Sequence, residues 1–87
     1  IEAITYQVII QRSAEKELDT LEKPVHKRIA ARLLALEENP RPAGVKKLQG
    51  QESYRLRAGD YRIIYTIDDK SKKIFIMAVG HRREVYR

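Results

Sequence analysis

Apolar positions in the first ten residues alternate, with Ile4, Tyr6, Val8 and Ile10 on one side of an extended chain. The β-branched content of residues 4–10 predicts a strand with that side buried. At Ser13 the period changes. Ala14, Leu18 and Leu21 recur at helical spacing, which predicts a helix over residues 14–21, capped by Ser13, with Glu15 and Glu17 near its positive N-terminal end. Pro24 suits the first position of a second helix, whose stripe is Val25, Ile29, Leu33 and Leu36 and which should stop near Asn39-Pro40. The two helices form a hairpin joined around Glu22-Lys23, and its apolar faces require a partner surface.

Beyond the loop Arg41-Pro42-Ala43-Gly44, residues 54–58, 61–67 and 74–79 read as three strands, separated by the turns Gly59-Asp60 and Asp68-Asp69-Lys70-Ser71. The run Ile74-Phe75-Ile76-Met77-Ala78-Val79 is apolar throughout, as expected of a central strand covered on both faces. The order β-α-α-β-β-β predicts an α+β fold: an antiparallel-rich β-sheet packed against an N-terminal two-helix hairpin. With 87 residues, no repeats and no long linker, residues 1–87 are expected to form one domain.

A 43% hydrophobic and 34% charged chain is too apolar for a disordered tail. No run of about 18 apolar residues is present to span a bilayer. Without cysteine there is no disulfide framework or thiolate site, and two isolated histidines do not close a zinc site, so no metal and no cofactor is expected. The start Ile1-Glu2-Ala3 has neither a signal-peptide pattern nor an initiator Met, as expected of a processed or trimmed cytoplasmic chain. Net charge is +6, and its distribution matters more than its size. Residues 1–40 carry 6 Lys/Arg against 7 Asp/Glu, whereas residues 41–87 carry 12 against 5. A polyanionic partner selects for such asymmetry, because each cation near it releases condensed counterions.

If Gly59-Asp60 is a two-residue hairpin loop, Ala58 pairs with Tyr61, Arg57 with Arg62 and Leu56 with Ile63. That register gathers Arg55, Arg57 and Arg62 on one face, where like charges repel unless an anion joins them. The terminal stretch Gly80-His81-Arg82-Arg83-Glu84-Val85-Tyr86-Arg87 adds more charge, and the four-residue step from Arg82 to Tyr86 keeps that pair on one side of a strand or a helical turn. Lys46 with Lys47, and Lys70, Lys72 and Lys73, form two further basic groups expected to grip phosphates of a polyanionic partner, and Arg83 joins them. His26, on the second helix, is expected to face solvent.

Taken in order, Lys46-Lys47-Leu48-Gln49-Gly50, Tyr54-Arg55-Leu56-Arg57, Gly59-Asp60-Tyr61-Arg62-Ile63-Ile64-Tyr65 and Val79-Gly80-His81-Arg82-Arg83-Glu84-Val85-Tyr86 resemble the RelE toxins of the RelE/ParE toxin–antitoxin superfamily. The resemblance implies a RelE-like toxin that inhibits translation as a metal-independent, ribosome-dependent endoribonuclease (mRNA interferase), cleaving mRNA in the ribosomal A site. It implies a cognate RelB-like antitoxin in a heteromeric complex, and the ribosome and mRNA as the other partners. Arg55, Arg57, Arg62, Arg82 and Tyr86 then stand at the positions of functional residues. Some relatives carry lysine where this chain has Arg55 and Arg57; arginine keeps the phosphate grip, but its high pKa makes a proton-transfer role at these positions doubtful.

Such cleavage needs a base for the 2′-OH, cations for the phosphorane and an acid for the departing 5′ oxygen. Arginines suit the second task. Tyr86 is a candidate for the first or for stacking on a base, and His81, which titrates in the useful range, is a candidate for the third. A ParE-like gyrase inhibitor and a non-catalytic nucleic-acid-binding module are the alternatives.

Overall fold

The computed structural model describes residues 5–48 and 53–81. Its organising pair is the hairpin of β3 (Ser53–Ala58) and β4 (Tyr61–Asp68), where Leu56, Ala58, Ile63 and Tyr65 are buried on one face and the alternate residues are not. To that hairpin the chain adds β1 (Gln7–Ile10), β2 (Lys46–Lys47) and β5 (Lys73–His81), giving the sheet order β1-β5-β4-β3-β2. β1 runs parallel to β5, and every other pair is antiparallel. Two helices, α1 (Arg12–Asp19) and α2 (Lys23–Ala35), bury Ala14, Leu18, Ile29 and Leu33 in the core with Ile74, Ile76 and Val79 of β5. The predicted α+β fold is observed, and the predicted elements occur in the predicted order with the two-residue β2 added between α2 and β3. Among the described residues no helix is long and apolar enough to cross a membrane.

Several local expectations give way to tertiary contacts. Ser13 does not cap α1, whose N-cap position is Gln11 without a side-chain bond; its hydroxyl donates instead to the carbonyl of Met77 at 3.3 Å. α1 ends at Asp19 rather than 21. α2 ends at Ala35, about a turn before Asn39-Pro40, with Pro24 inside its first turn as expected. β1 is shorter than residues 4–10, with Ile4 outside the described residues, and Ile10 is 37% exposed at the end of this edge strand.

β5 is interior but not central, since β4 occupies the middle of the sheet. Nor is it covered on both faces. The pairing steps from Ile64↔Ala78 to Tyr65↔Ile76, so Met77 is an extra residue, 43% exposed. This bulge shifts the alternation by one residue, so that Ile74 and Ile76 before it and Val79 after it all face the helices.

At the far end of the sheet a polar clasp closes the α2–β2 loop onto the β4–β5 turn. The Arg41 guanidinium pairs with Asp69 at 3.0 Å, donates to the Tyr54 hydroxyl at 3.2 Å and lies over the Tyr54 ring. Tyr6 donates to Asp69 at 2.6 Å. These partners hold the Asp69 carboxyl down at about 2, the Arg41 bond being the largest cause. Tyr65, its ring fully buried against Tyr54, donates to the Pro40 carbonyl at 2.7 Å, and burial pushes its pKa well above the usual value.

Because the Tyr65 phenol is held protonated in the fold, its contribution is complete below the unfolded value of about 10 and is lost as pH rises beyond it. Tyr65→Phe should therefore cost about 1 kcal/mol near neutrality through the lost hydrogen bond. The gap to the wild type should narrow in alkali, as read by urea unfolding across pH.

Candidate functional site

The face of the sheet away from the helices collects cations by strand alternation. β3 presents Arg55 and Arg57 there, and β4 presents Arg62, directly opposite Arg57. The register is the one a two-residue Gly59-Asp60 loop demands, with Ala58↔Tyr61 and Leu56↔Ile63. Gly59 has φ +64°, and the left-handed region is otherwise visited only by Gly44 and Lys72 among the described residues. A positive φ at the first central position alone is the pattern of a type II′ turn, which glycine fits and which matches the strand twist.

β2 completes the site from the other side. It pairs Lys46 with Arg55 and so brings a fourth cation to the same face. Gly44, Lys46, Arg55, Arg57 and Arg62 line a cleft of about 250 Å³. Among the described residues none that lines it is a carboxylate. Arg57 donates through Nε to the Gly59 carbonyl at 3.1 Å, and Arg62 through Nη1 to the Tyr61 carbonyl at 3.4 Å. Backbone carbonyls orient the Arg57 and Arg62 guanidinium groups without neutralising them, so these two positive charges converge on one small concavity. Gly44 turns the chain into the cleft at φ +89°, a conformation that a side chain would strain although nothing lies within 4 Å of its Cβ position.

The other expected site residues are distributed differently. Lys47 pairs with Tyr54, and alternation sends it to the side opposite Lys46. Lys70, Lys72 and Lys73 sit at the β4–β5 turn, roughly 20 Å along β4 from Arg62 at ~3.3 Å per residue. The Lys72 ammonium lies over the Tyr6 ring. His81 is not brought to the arginines: it pairs with Tyr61 on the helix side, their rings edge-on with centroids 5.7 Å apart, while its neighbour Gly80 pairs with Arg62. A strand cannot aim adjacent residues at one face. Arg82, Arg83 and Tyr86 lie outside the described residues. His26 is exposed, as expected. Among the described residues no group of His, Asp and Glu is gathered to hold a metal ion.

Three features were not foreseen. Glu17, expected only to favour the α1 N-terminus, accepts the Val79 N–H at 3.1 Å and so anchors the strand end from which the basic terminal segment leaves. Arg28 of α2 reaches the β3–β4 turn, its Nη1 3.1 Å from where a Cβ on Gly59 would stand. The third is an apolar groove of about 570 Å³ between α1, α2 and β1, lined by Val8, Ile10, Leu18 and Leu33 and rimmed by Glu15, Asp19 and Glu37.

Residues 8–86 match the family model described as ParE toxin of type II toxin–antitoxin system, parDE. A putative RelE-like toxin protein of Escherichia coli is 32% identical over 79 residues, covering 88% of this chain and 83% of that protein. The chain belongs to the RelE/ParE superfamily of type II toxins. The toxin also superposes on the archaeal RelE–RelB complex from Pyrococcus horikoshii, with a TM-score of 0.81, 37% identity and coverage of 90% of this chain and 96% of that one. For the RelBE2 complex of Mycobacterium tuberculosis the TM-score is again 0.81, at 26% identity, with 91% and 100% covered.

Arg57 and Arg62 stand directly opposite each other, and like charges so placed repel. Arg57→Gln should thus leave the toxin's stability unchanged or raise it by about 0.2–1 kcal/mol at low salt, a gain that added salt removes. Urea unfolding at two ionic strengths measures this, and a loss of more than about 1 kcal/mol at low salt would refute it.

Proposed function

We propose that the toxin is a ribosome-dependent endoribonuclease that cuts mRNA in the A site without a metal and so inhibits translation in the cytoplasm. The observation that carries the reading is the convergence of Lys46, Arg55, Arg57 and Arg62 on one cleft. A scissile phosphate seated there meets fixed cations, and these stabilise the extra charge of a phosphorane more than that of the ground state. The substrate's 2′-OH loses its proton and its oxygen bonds to phosphorus. The bond from phosphorus to the 5′ oxygen then breaks, that oxygen takes a proton, and a cyclic phosphate remains on the other fragment.

Arg62 and Arg57 hold the phosphate in line. Arg55 and Lys46 steer the strand into the cleft. In the resemblance to RelE toxins Arg82 and Tyr86 complete the set, Arg82 on the phosphate and Tyr86 as the base or as a platform for a splayed nucleobase. Lys47 and Arg83, with Lys70, Lys72 and Lys73 at the far end of the sheet, serve as contacts to ribosomal RNA. Positioning by the ribosome supplies much of the acceleration, because in-line alignment removes a large entropic part of the barrier.

The partner is a RelB-like antitoxin, as in the RelE–RelB complexes that share the fold. The groove between α1, α2 and β1 suits an amphipathic antitoxin segment: its floor is apolar, and its acidic rim of Glu15, Asp19 and Glu37 complements basic flanks.

One observation favours a second reading. The matching family model is described by ParE, so inhibition of DNA gyrase through a protein contact is the competing activity. Programmed ribosomes incubated with the toxin, with mRNA ends mapped and gyrase supercoiling assayed in parallel, separate the two. The expected result is cleavage that falls at least about 100-fold in Arg62→Ala and in Arg82→Ala with the fold intact. Supercoiling inhibition without cleavage would select gyrase, and neither activity would leave a binding module.

A further inference from the structure

Two guanidinium groups approach the Gly59-Asp60 turn from opposite sides of the sheet. Arg57, on the open face, donates to the Gly59 carbonyl at 3.1 Å. Arg28, from α2 on the helix side, comes within 3.1 Å of the space that a side chain on Gly59 would occupy. Glycine at this position therefore does two things: it supplies the φ of +64° that the turn needs, and it leaves room for a cation against the backbone.

Neither cation is neutralised. Among the described residues no carboxylate stands within ion-pair distance of Arg28 or Arg57, although Asp60 occupies the same turn. Arg28 is also exposed, so no requirement of core packing draws its head group to the turn. Arg32 follows four residues later on the same flank of α2. The basic surface consequently does not stop at the rim of the cleft. It passes round the turn and continues onto the helix layer.

We infer that Arg28 contacts a phosphate of the bound RNA, and that the strand leaving the cleft past Arg57 and Arg62 is carried round the Gly59-Asp60 turn to the α2 flank. The assignment rests on the RNA reading above, and adds a residue from the helix layer to a site otherwise built on the sheet. Guanidinium suits the position, since it presents several donors in a plane and holds its charge at any physiological pH. The Arg28 contact adds affinity and directs the strand's exit path. It takes no part in bond breaking.

The competing explanation is that the aliphatic stem of Arg28 merely shields the end of the sheet, in which case its charge is incidental. A fluorescently labelled single-stranded RNA oligonucleotide, titrated by anisotropy over a range of salt concentrations, distinguishes them. Arg28→Met keeps the stem and removes the charge, Arg28→Lys keeps both, and Lys16→Met on α1 controls for net charge. Arg28→Met should weaken binding several-fold and reduce the slope of log affinity against log salt by about 0.7, the value for one single-strand phosphate contact. Arg28→Lys should restore the slope, and Lys16→Met should leave it at the wild-type value.

A wild-type slope in Arg28→Met overturns the assignment and leaves the RNA reading standing. Absence of any salt-dependent binding by the wild type overturns the assignment, whereas the RNA reading stands or falls on the mapping of mRNA ends on programmed ribosomes. Circular dichroism of each variant verifies the fold, and Arg28→Gln provides the same comparison should the methionine variant fail to fold.

Discussion

The β3–β4 register is the constraint on which the rest of the toxin depends, and two turn residues set it. Glycine at 59 closes the hairpin in two residues, which pairs Arg57 with Arg62 and, on the other face, Leu56 with Ile63. Slipping the register by one residue would invert one strand relative to the other and drive either Arg62 or Arg55 and Arg57 toward Ile29, Leu33 and the other core residues. Burying unpaired guanidinium there is far more costly than crowding the same groups in solvent. The arginine cleft and the core are thus one decision made at a single turn.

The cation-lined cleft is a place where local stability is set aside. Arg57 and Arg62, directly opposed, repel, and among the described residues no carboxylate lines the cleft. The fold sustains this because its other end is tightly tied: Arg41, Asp69, Tyr6, Tyr54 and Tyr65 join three distant stretches of chain through hydrogen bonds, an ion pair and a stacked ring pair. One end of the sheet is polar and satisfied, while the other end presents charge to a ligand. This separation of a rigid support from a frustrated site is the usual compromise in proteins that bind highly charged partners.

Much of this was legible before any coordinates. Alternation in residues 54–58 and 61–67, with a glycine-led two-residue turn between them, yields the strands, their faces and the arginine group. The rest was hidden for identifiable reasons. β2 is only two residues long, held by pairing with β3 rather than by any propensity of two lysines, so Lys46 could not be joined to Arg55 from pattern alone. The Met77 bulge lies inside an uninterrupted apolar run, where a shift of phase leaves no mark. Ser13 follows a local rule that a carbonyl from β5 overrides. His81 is kept from Arg62 because Gly80, its neighbour on β5, takes the place opposite that arginine, and the sequence does not show how far β5 runs.

The parallel pairing of β1 with β5 has a consequence for biosynthesis. Among the described strands β1 lies at the edge of the sheet and pairs with β5 alone, which follows β1 to β4 in the chain. While the chain emerges from the ribosome, Val8, Ile9 and Ile10 have no strand to join, and the sheet lacks the β5 neighbour of β4. Long-range pairing of this kind is slow to form, and an unpaired β-branched segment is prone to wrong association in the interval. The nascent toxin accordingly has no complete sheet, and hence no complete cleft support, until β5 has cleared the exit tunnel. Val8, Ile9 and Ile10 are meanwhile the residues most in need of a chaperoning partner.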